Sequence, residues 1–234
     1  MSFSLDSLLS ALNVPSGEIS PTCVCGVPVR HYRDTCDNCK ATQRKADRRL
    51  LLGASLRSLP AMPWAFWVGD WAQTCDEKIL AALGRWVRAK GNLVLCGPTG
   101  CGKTTASVAR IRKLLAQAEQ PCSPEDFRFA CGIRFAGAAD LATARKQHPL
   151  GSGEPFEIEE AIDASLLILD ELGYESQQDT AIPELADIRY RKGRLTITTT
   201  GLRPAEMVAR YGEATVRKLI GQGKIVSAFE DKQS

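Results

Sequence analysis

Residues 97–104 read GPTGCGKT, and these residue types at this spacing suit the holding of a nucleotide's phosphates. Gly97, Gly100 and Gly102 let backbone amides converge on phosphate oxygens, and the start of a helix adds a field that favours anions. Pro98, Thr99, Cys101 and Thr105 complete the cradle, with Cys101 at a position where residue type is free. Lys103 is placed to reach the β- and γ-phosphates of ATP or GTP, and Thr104 to hold Mg²⁺. A second pair of chemical groups, Asp170 and Glu171, follows the apolar run at residues 165–169. Asp170 would orient Mg²⁺ through its water shell, and Glu171 would polarise an attacking water. The run RLTITTT at residues 194–200 ends in hydroxyls, so Thr200 or Thr199 is a candidate to touch the γ-phosphate or that water. Threonines also simply make good strands, which is the plainer alternative.

The cysteines divide into two sets. Cys23, Cys25, Cys36 and Cys39 form a C-x-C and a C-x-x-C pair, whereas Cys75, Cys96, Cys101, Cys122 and Cys131 are isolated. In a reducing compartment four clustered thiols suit a tetrahedral Zn²⁺ site of the knuckle or ribbon type better than disulfides. His31 is a possible replacement for one of the four, although a surface position suits it equally. An unmetallated arm is the alternative.

These groups need elements to carry them. Residues 92–96 are apolar like a short buried strand and residues 105–119 have the alanine, leucine and basic content of a helix, which is the context a phosphate loop requires. A helix over residues 75–90 leads into that strand, with residues 70 and 71 near the base of the nucleotide. Further on, the pattern predicts a strand at 127–135, a helix at 138–146, a loop at 148–154 and strands at 165–169 and 194–200. Alternating strands and helices make an α/β domain with a parallel sheet flanked by helices. Ahead of it, residues 40–57 are strongly basic, as a solvated helix face or a nucleic-acid contact. Residues 58–74 hold Trp64, Trp67 and Trp71 and read as a linker whose aromatics either stack on bases or fill a seam. Leu5, Leu8, Leu9 and Leu12 mark a short amphipathic segment at residues 1–14. The expected organisation is a zinc-ribbon-like, basic arm at 1–57, a linker at 58–74 and an ATPase domain at 75–234.

Composition narrows the classes. Thirty basic residues against 27 acidic ones leave no general polycation, so any nucleic-acid contact must be local. No apolar run reaches the roughly 18–20 residues of a membrane span, and the N-terminus has no basic region ahead of an apolar one. A cytoplasmic protein with no membrane partner is expected.

The order GPTGCGKT, LLILDELGYE, RLTITTTGL and ARYGEATVRKLIGQGKIV, behind a cysteine cluster, resembles the AAA+ ATPases of the DnaC, DnaI and IstB group over about residues 60–228. That group comprises replicative-helicase loaders and helper ATPases of insertion sequences. The resemblance implies Lys103 and Thr104 as the Walker A pair, Asp170 and Glu171 as the Walker B pair, and Arg217 as an arginine finger given in trans, with Arg210 its local competitor. It also implies a homo-oligomer when ATP is bound, single-stranded DNA as a ligand, and a replicative DNA helicase held by the cysteine-rich arm. Two departures imply slow turnover: Gly201 stands where relatives carry asparagine, and residues 227–232 hold no arginine for a second sensor. A transposition helper and a nucleotide-gated adaptor with little hydrolysis are the alternatives.

Overall fold

The computed structural model describes residues 22–31, 34–60, 71–149, 151–177 and 179–229; the amphipathic segment expected at 1–14 and most of the aromatic linker lie outside them. The chain divides into two compact units between Asp47 and Arg48. In the first, a tight turn is closed by an antiparallel bridge between Thr22 and Pro28, and helix α1 (Asp37–Leu51) begins. Residues 48–57, expected in the arm, belong instead to the second unit. The reason is an apolar stripe that starts in the basic run and continues past it: Leu52 and Leu59 are buried in the core of that unit, and Leu56 packs against it. Helix α2 (Gly53–Ser58) lies here, with Ser55 Oγ donating to the Ala130 and Cys131 carbonyls, both at 2.8 Å.

The second unit continues through α3 (Glu77–Gly84), β1 (Leu93–Cys96), α4 (Lys103–Glu119), α5 (Pro124–Cys131), β2 (Ile133–Gly137) and α6 (Ala138–Gln147). It then runs through α7 (Phe156–Asp163), β3 (Leu166–Leu172), α8 (Ala181–Arg191), β4 (Leu195–Thr200), α9 (Pro204–Ile220) and β5 (Lys224–Ser227). All pairings in the five-stranded sheet are parallel, in the order β2-β3-β4-β1-β5. Strand alternation sends Leu93, Leu95, Leu166 and Ile168 into one core with α3, α4 and α5. Val94, Cys96, Leu167 and Leu169 enter a second core with α6, α7, α8 and α9. Helices therefore cover both faces, as continuous apolar strands such as LLIL require.

Two expected elements differ. The strand expected at 127–135 is helix to Cys131 and strand only from Ile133, because Ser123 caps the helix through Asp126 N at 3.0 Å and Pro124 sits in its first turn. The helix expected over 75–90 is α3 alone, capped by Asp76, followed by a 3₁₀ turn at Arg88–Lys90. There Trp86 turns back, its indole donating to the Gly91 carbonyl at 2.9 Å.

Buried polar groups stitch the layers. Asn92 accepts from Thr196 N at 2.9 Å and donates to the Leu219 carbonyl at 3.0 Å, joining β4 to the last turn of α9. Gly223 passes so close that a Cβ would lie 1.6 Å from Asn92 O. Arg189, 2% exposed, donates to the carbonyls of Ala161, Ile162 and Ala164 at the end of α7, and to Leu195 O and Thr196 Oγ1. Burial first, then the nearby Arg194 charge, pulls its guanidinium down to about 9, still protonated at neutral pH. Arg189→Met would strand those acceptors and is expected to lower stability by about 3 kcal/mol in urea unfolding. Thr198→Val, which removes a buried hydroxyl that has no hydrogen-bond partner, is expected to be neutral or stabilising in the same measurement.

Candidate functional site

The phosphate loop leaves the C-terminal end of β1 and runs into α4. Gly97 N donates to the Thr200 carbonyl at 3.2 Å, which fixes the loop's root against β4. Gly102 precedes the helix with φ 83°, and a Cβ there would lie 2.4 Å from Cys75 Sγ. Only glycine fits that approach. Lys103 Nζ donates to the carbonyls of Gly97 at 2.7 Å and Pro98 at 2.9 Å, with Cys101 Sγ at 3.7 Å. These are neutral acceptors on the loop itself, and an anionic phosphate is the stronger partner for the ammonium.

Asp170 is the meeting point of three elements. Its Oδ1 accepts from Thr104 Oγ1 at 2.8 Å and from Thr199 Oγ1 at 2.5 Å. Thr199 Oγ1 in turn accepts from Glu171 N at 3.0 Å. The β3–β4 register shifts between Leu169 and Leu172, and Glu171 takes φ 54°, the one positive φ outside glycine among the described residues. Such a bulge re-aims a side chain at a backbone cost of order 1–3 kcal/mol. As a result Glu171 is exposed between buried Asp170 and buried Leu172. It lines a cleft of about 330 Å³ with Lys103, Thr104, Tyr174, Thr199, Thr200 and Gly201, while Thr74 lines it from the segment before α3. The Thr104 hydroxyl and Asp170 carboxylate are hard oxygen donors in direct contact, which suits Mg²⁺.

Thr99, Gly100, Gly102 and Thr105 also face the cleft, so the expected loop and acidic residues come together in space. The two threonine candidates separate. Thr199 touches Asp170, whereas Thr200 donates to the Leu172 carbonyl at 2.6 Å and accepts from Leu202 N at 3.0 Å. Arg217 is exposed on the second half of α9 and does not line the cleft. Arg210 is held by Glu175 and Tyr211, and Gly212 breaks the helix between the two arginines. Tyr174 and Thr74 were not signalled by residue pattern, because nothing in their local sequence marks them as cleft-facing.

A separate cluster lies in the first unit. The sulfurs of Cys23, Cys25, Cys36 and Cys39 all lie within 4.8 Å of one another, with Cys25 and Cys36 at 3.4 Å. Four thiolates about 2.3 Å from a central Zn²⁺ would sit roughly 3.8 Å apart, so the set fits that ion. Cys23 N donates to Val27 O at 2.8 Å to form the knuckle turn, and Cys39 N donates to Cys36 Sγ at 3.4 Å in the first turn of α1. The Cys25 and Cys36 backbone amides hold the Cys23 thiol down at about 6, and the neighbouring thiols, Cys25 foremost, push Cys39 up to about 12. His31 is not in the cluster; its backbone amide donates to Asp34.

If Asp170 depends on Thr199 for its orientation, Thr199→Val should weaken Mg²⁺-supported ATP binding by about tenfold and leave Mg²⁺-free binding unchanged. Thr200→Val should cost about 1 kcal/mol of stability without that Mg²⁺-dependent loss. Titration of a fluorescent ATP analogue with and without Mg²⁺ separates the two.

The model of the family described as IstB-like ATP binding protein matches residues 42–220. Among solved structures, the chain is similar to a crystal structure of the DnaC helicase loader, with 22% identity, a TM-score of 0.47, and coverage of 76% of this chain and 98% of that one. It is also similar to a structure of DnaI, at 16% identity and a TM-score of 0.49, covering 76% of this chain and 93% of that one. A third is AMPPCP-bound DnaA from Aquifex aeolicus, at 20% identity and a TM-score of 0.47; 67% of this chain matches 46% of that one. No curated protein sequence matches. Among the described residues no helix is long and apolar enough to cross a membrane. The family match spans most of the chain and contains the whole cleft, so the chain belongs to the IstB-like ATP-binding proteins, with a parallel α/β fold that carries the phosphate loop after β1.

Proposed function

We propose that the chain is a slow, Mg²⁺-dependent ATP hydrolase that acts as an assembly switch in DNA replication, loading a replicative helicase onto single-stranded DNA. The observation that carries the hydrolytic part is the bulge that turns Glu171 into the cleft beside the Thr104–Asp170–Thr199 hydrogen-bond chain. Lys103 would leave the Gly97 and Pro98 carbonyls for the β- and γ-phosphates. Thr104 and Asp170 would hold Mg²⁺, which supplies charge neutralisation at the phosphates when bound. Glu171 accepts a proton from water as its oxygen bonds to the γ-phosphorus. The bond from that phosphorus to the β,γ-bridging oxygen breaks, and ADP leaves with the electron pair.

A further fixed positive charge at the γ-phosphate would stabilise the transition state. An exposed arginine outside its own cleft is suited to a neighbour's γ-phosphate, and among the arginines that meet this the family resemblance points to Arg217 in an ATP-bound homo-oligomer. Gly201 offers no polar side chain at the rim, which supports slow turnover. The four-cysteine cluster, as a Zn²⁺ site, would make the arm a rigid body able to hold the helicase, in a cytoplasmic setting. The family match supports a second reading from the same fold, a transposition helper that coats DNA.

Three measurements test this reading. Glu171→Gln should retain ATP binding and lower phosphate release by about 100-fold or more, with single-stranded DNA present. If the wild type is no faster than the variant under any condition, the chain is a nucleotide-gated adaptor instead. Mass analysis should find about one zinc per chain, lost in Cys36→Ser, and a folded, metal-free arm would contradict the zinc assignment. Capture of a replicative helicase through residues 1–57 supports the loader; capture of a transposase and not a helicase supports the helper.

A further inference from the structure

Among the described residues two carboxylates are buried, Asp170 and Glu175, and the Glu175 side chain is 1% exposed. A buried charge is costly unless its oxygens are all engaged. Here they are. Oε2 accepts from Gly173 N at 3.0 Å, and Oε1 accepts from the Tyr211 hydroxyl and lies 3.5 Å from Arg210 Nη2. Arg210 also donates to the Glu175 carbonyl, and its Nε donates to the Tyr211 oxygen at 3.1 Å. The grip therefore takes both the side chain and the backbone of Glu175.

What it grips is the turn that follows the cleft glutamate. Tyr174 N donates to the Glu171 carbonyl at 3.2 Å, and Gly173 takes φ 110°. A residue with positive φ persists only where its surroundings over-determine it, and Glu171 is such a residue. On one side its amide is held by Thr199 Oγ1; on the other the Leu172 carbonyl accepts from Thr200 Oγ1, and the turn beyond it is anchored by Glu175 and, through it, α9. Apolar packing would stabilise this spot at least as well as a buried ion pair, so the ion pair's distinctive product is fixed geometry.

We propose that Glu175, gripped by Arg210 and Tyr211, is a positioning residue that holds Glu171 in its cleft-facing conformation and links that conformation to the first half of α9. The role rests on Glu171 as the group that activates water. The break at Gly212 separates the gripping half of α9 from the half that carries Arg217. Gly212 thus lies between the residues that grip the turn after Glu171 and the exposed Arg217.

The test uses the full chain with Glu175→Gln, Tyr211→Phe and the double variant. The readouts are kcat, KM for ATP, and hydrogen–deuterium exchange over residues 170–176 with Mg²⁺ and a non-hydrolysable ATP analogue. Expected is a kcat lowered about 10- to 100-fold in Glu175→Gln with KM within about twofold. Exchange across the turn should be faster, and the double variant should be no slower in turnover than Glu175→Gln alone. A folded Glu175→Gln with wild-type kcat, a parallel loss of kcat and nucleotide affinity, or additive effects in the double variant would overturn the proposal. Should Glu175→Gln fail to fold, Tyr211→Phe gives the same readings, with the same result expected. If the wild type itself shows no turnover, the hydrolytic reading fails, and the positioning role still stands or falls on exchange: faster in the variants supports it, unchanged overturns it.

Discussion

Two hydroxyls on one carboxylate oxygen hold the cleft together. Asp170 Oδ1 receives Thr104 from the start of α4 and Thr199 from the end of β4, and the sheet order places the second of these between the two chemical segments. Strand β4 stands between β1, which delivers the phosphate loop, and β3, which delivers the acids. Two strand spacings amount to about 10 Å, and Thr104, reaching in from the start of α4, spans that distance to touch Asp170 directly. A threonine on the intervening strand adds a second hydroxyl to the same oxygen. The same hydroxyl accepts the Glu171 amide, so the bulge that exposes Glu171 is pinned by the contact that orients Asp170.

The interior around that contact is unusually polar for a central strand. Thr196, Thr199 and Thr200 each spend a hydroxyl on a neighbour: Arg189, Asp170 and the Leu172 carbonyl. Arg189 and Asn92 then hold the ends of α7 and α9 to the sheet. Directional bonds of this kind add little net stability each, yet they exclude alternative registers that apolar packing alone would tolerate. The precision of the cleft follows from this polar layer more than from the two apolar cores.

The loop and the acid strand were legible because their chemistry lies in contiguous residues: glycines that let amides converge, and an apolar run that must be buried on both faces before it ends in carboxylates. The choice between Thr199 and Thr200 was not legible. Alternation along a strand says that they point to opposite faces, but the bulge in β3 decides which face meets Asp170, and a bulge leaves no mark in the apolar pattern. The strand expected at 127–135 failed for a different reason. FRFA suits helix or strand equally, and the Ser123–Pro124 cap settled the competition. The unit boundary moved because charge count hid the stripe that Leu52 and Leu56 begin inside the basic run and Leu59 continues beyond it. Glu175 lies 35 residues ahead of Arg210 and its neighbour Tyr211, so only the fold brings the three together.

The central claim is that this cleft takes Mg²⁺ and ATP at Lys103, Thr104 and Asp170 with Glu171 facing the γ-phosphate. The most direct measurement is a crystal structure of the chain with Mg²⁺ and a non-hydrolysable ATP analogue. The expected result has Lys103 Nζ moved from the Gly97 and Pro98 carbonyls to the phosphates, the ion between Thr104 and Asp170, and Glu171 within one water of the γ-phosphorus. A bound nucleotide with Lys103 still on its own loop, or with Glu171 turned away from the γ-phosphate, would contradict it.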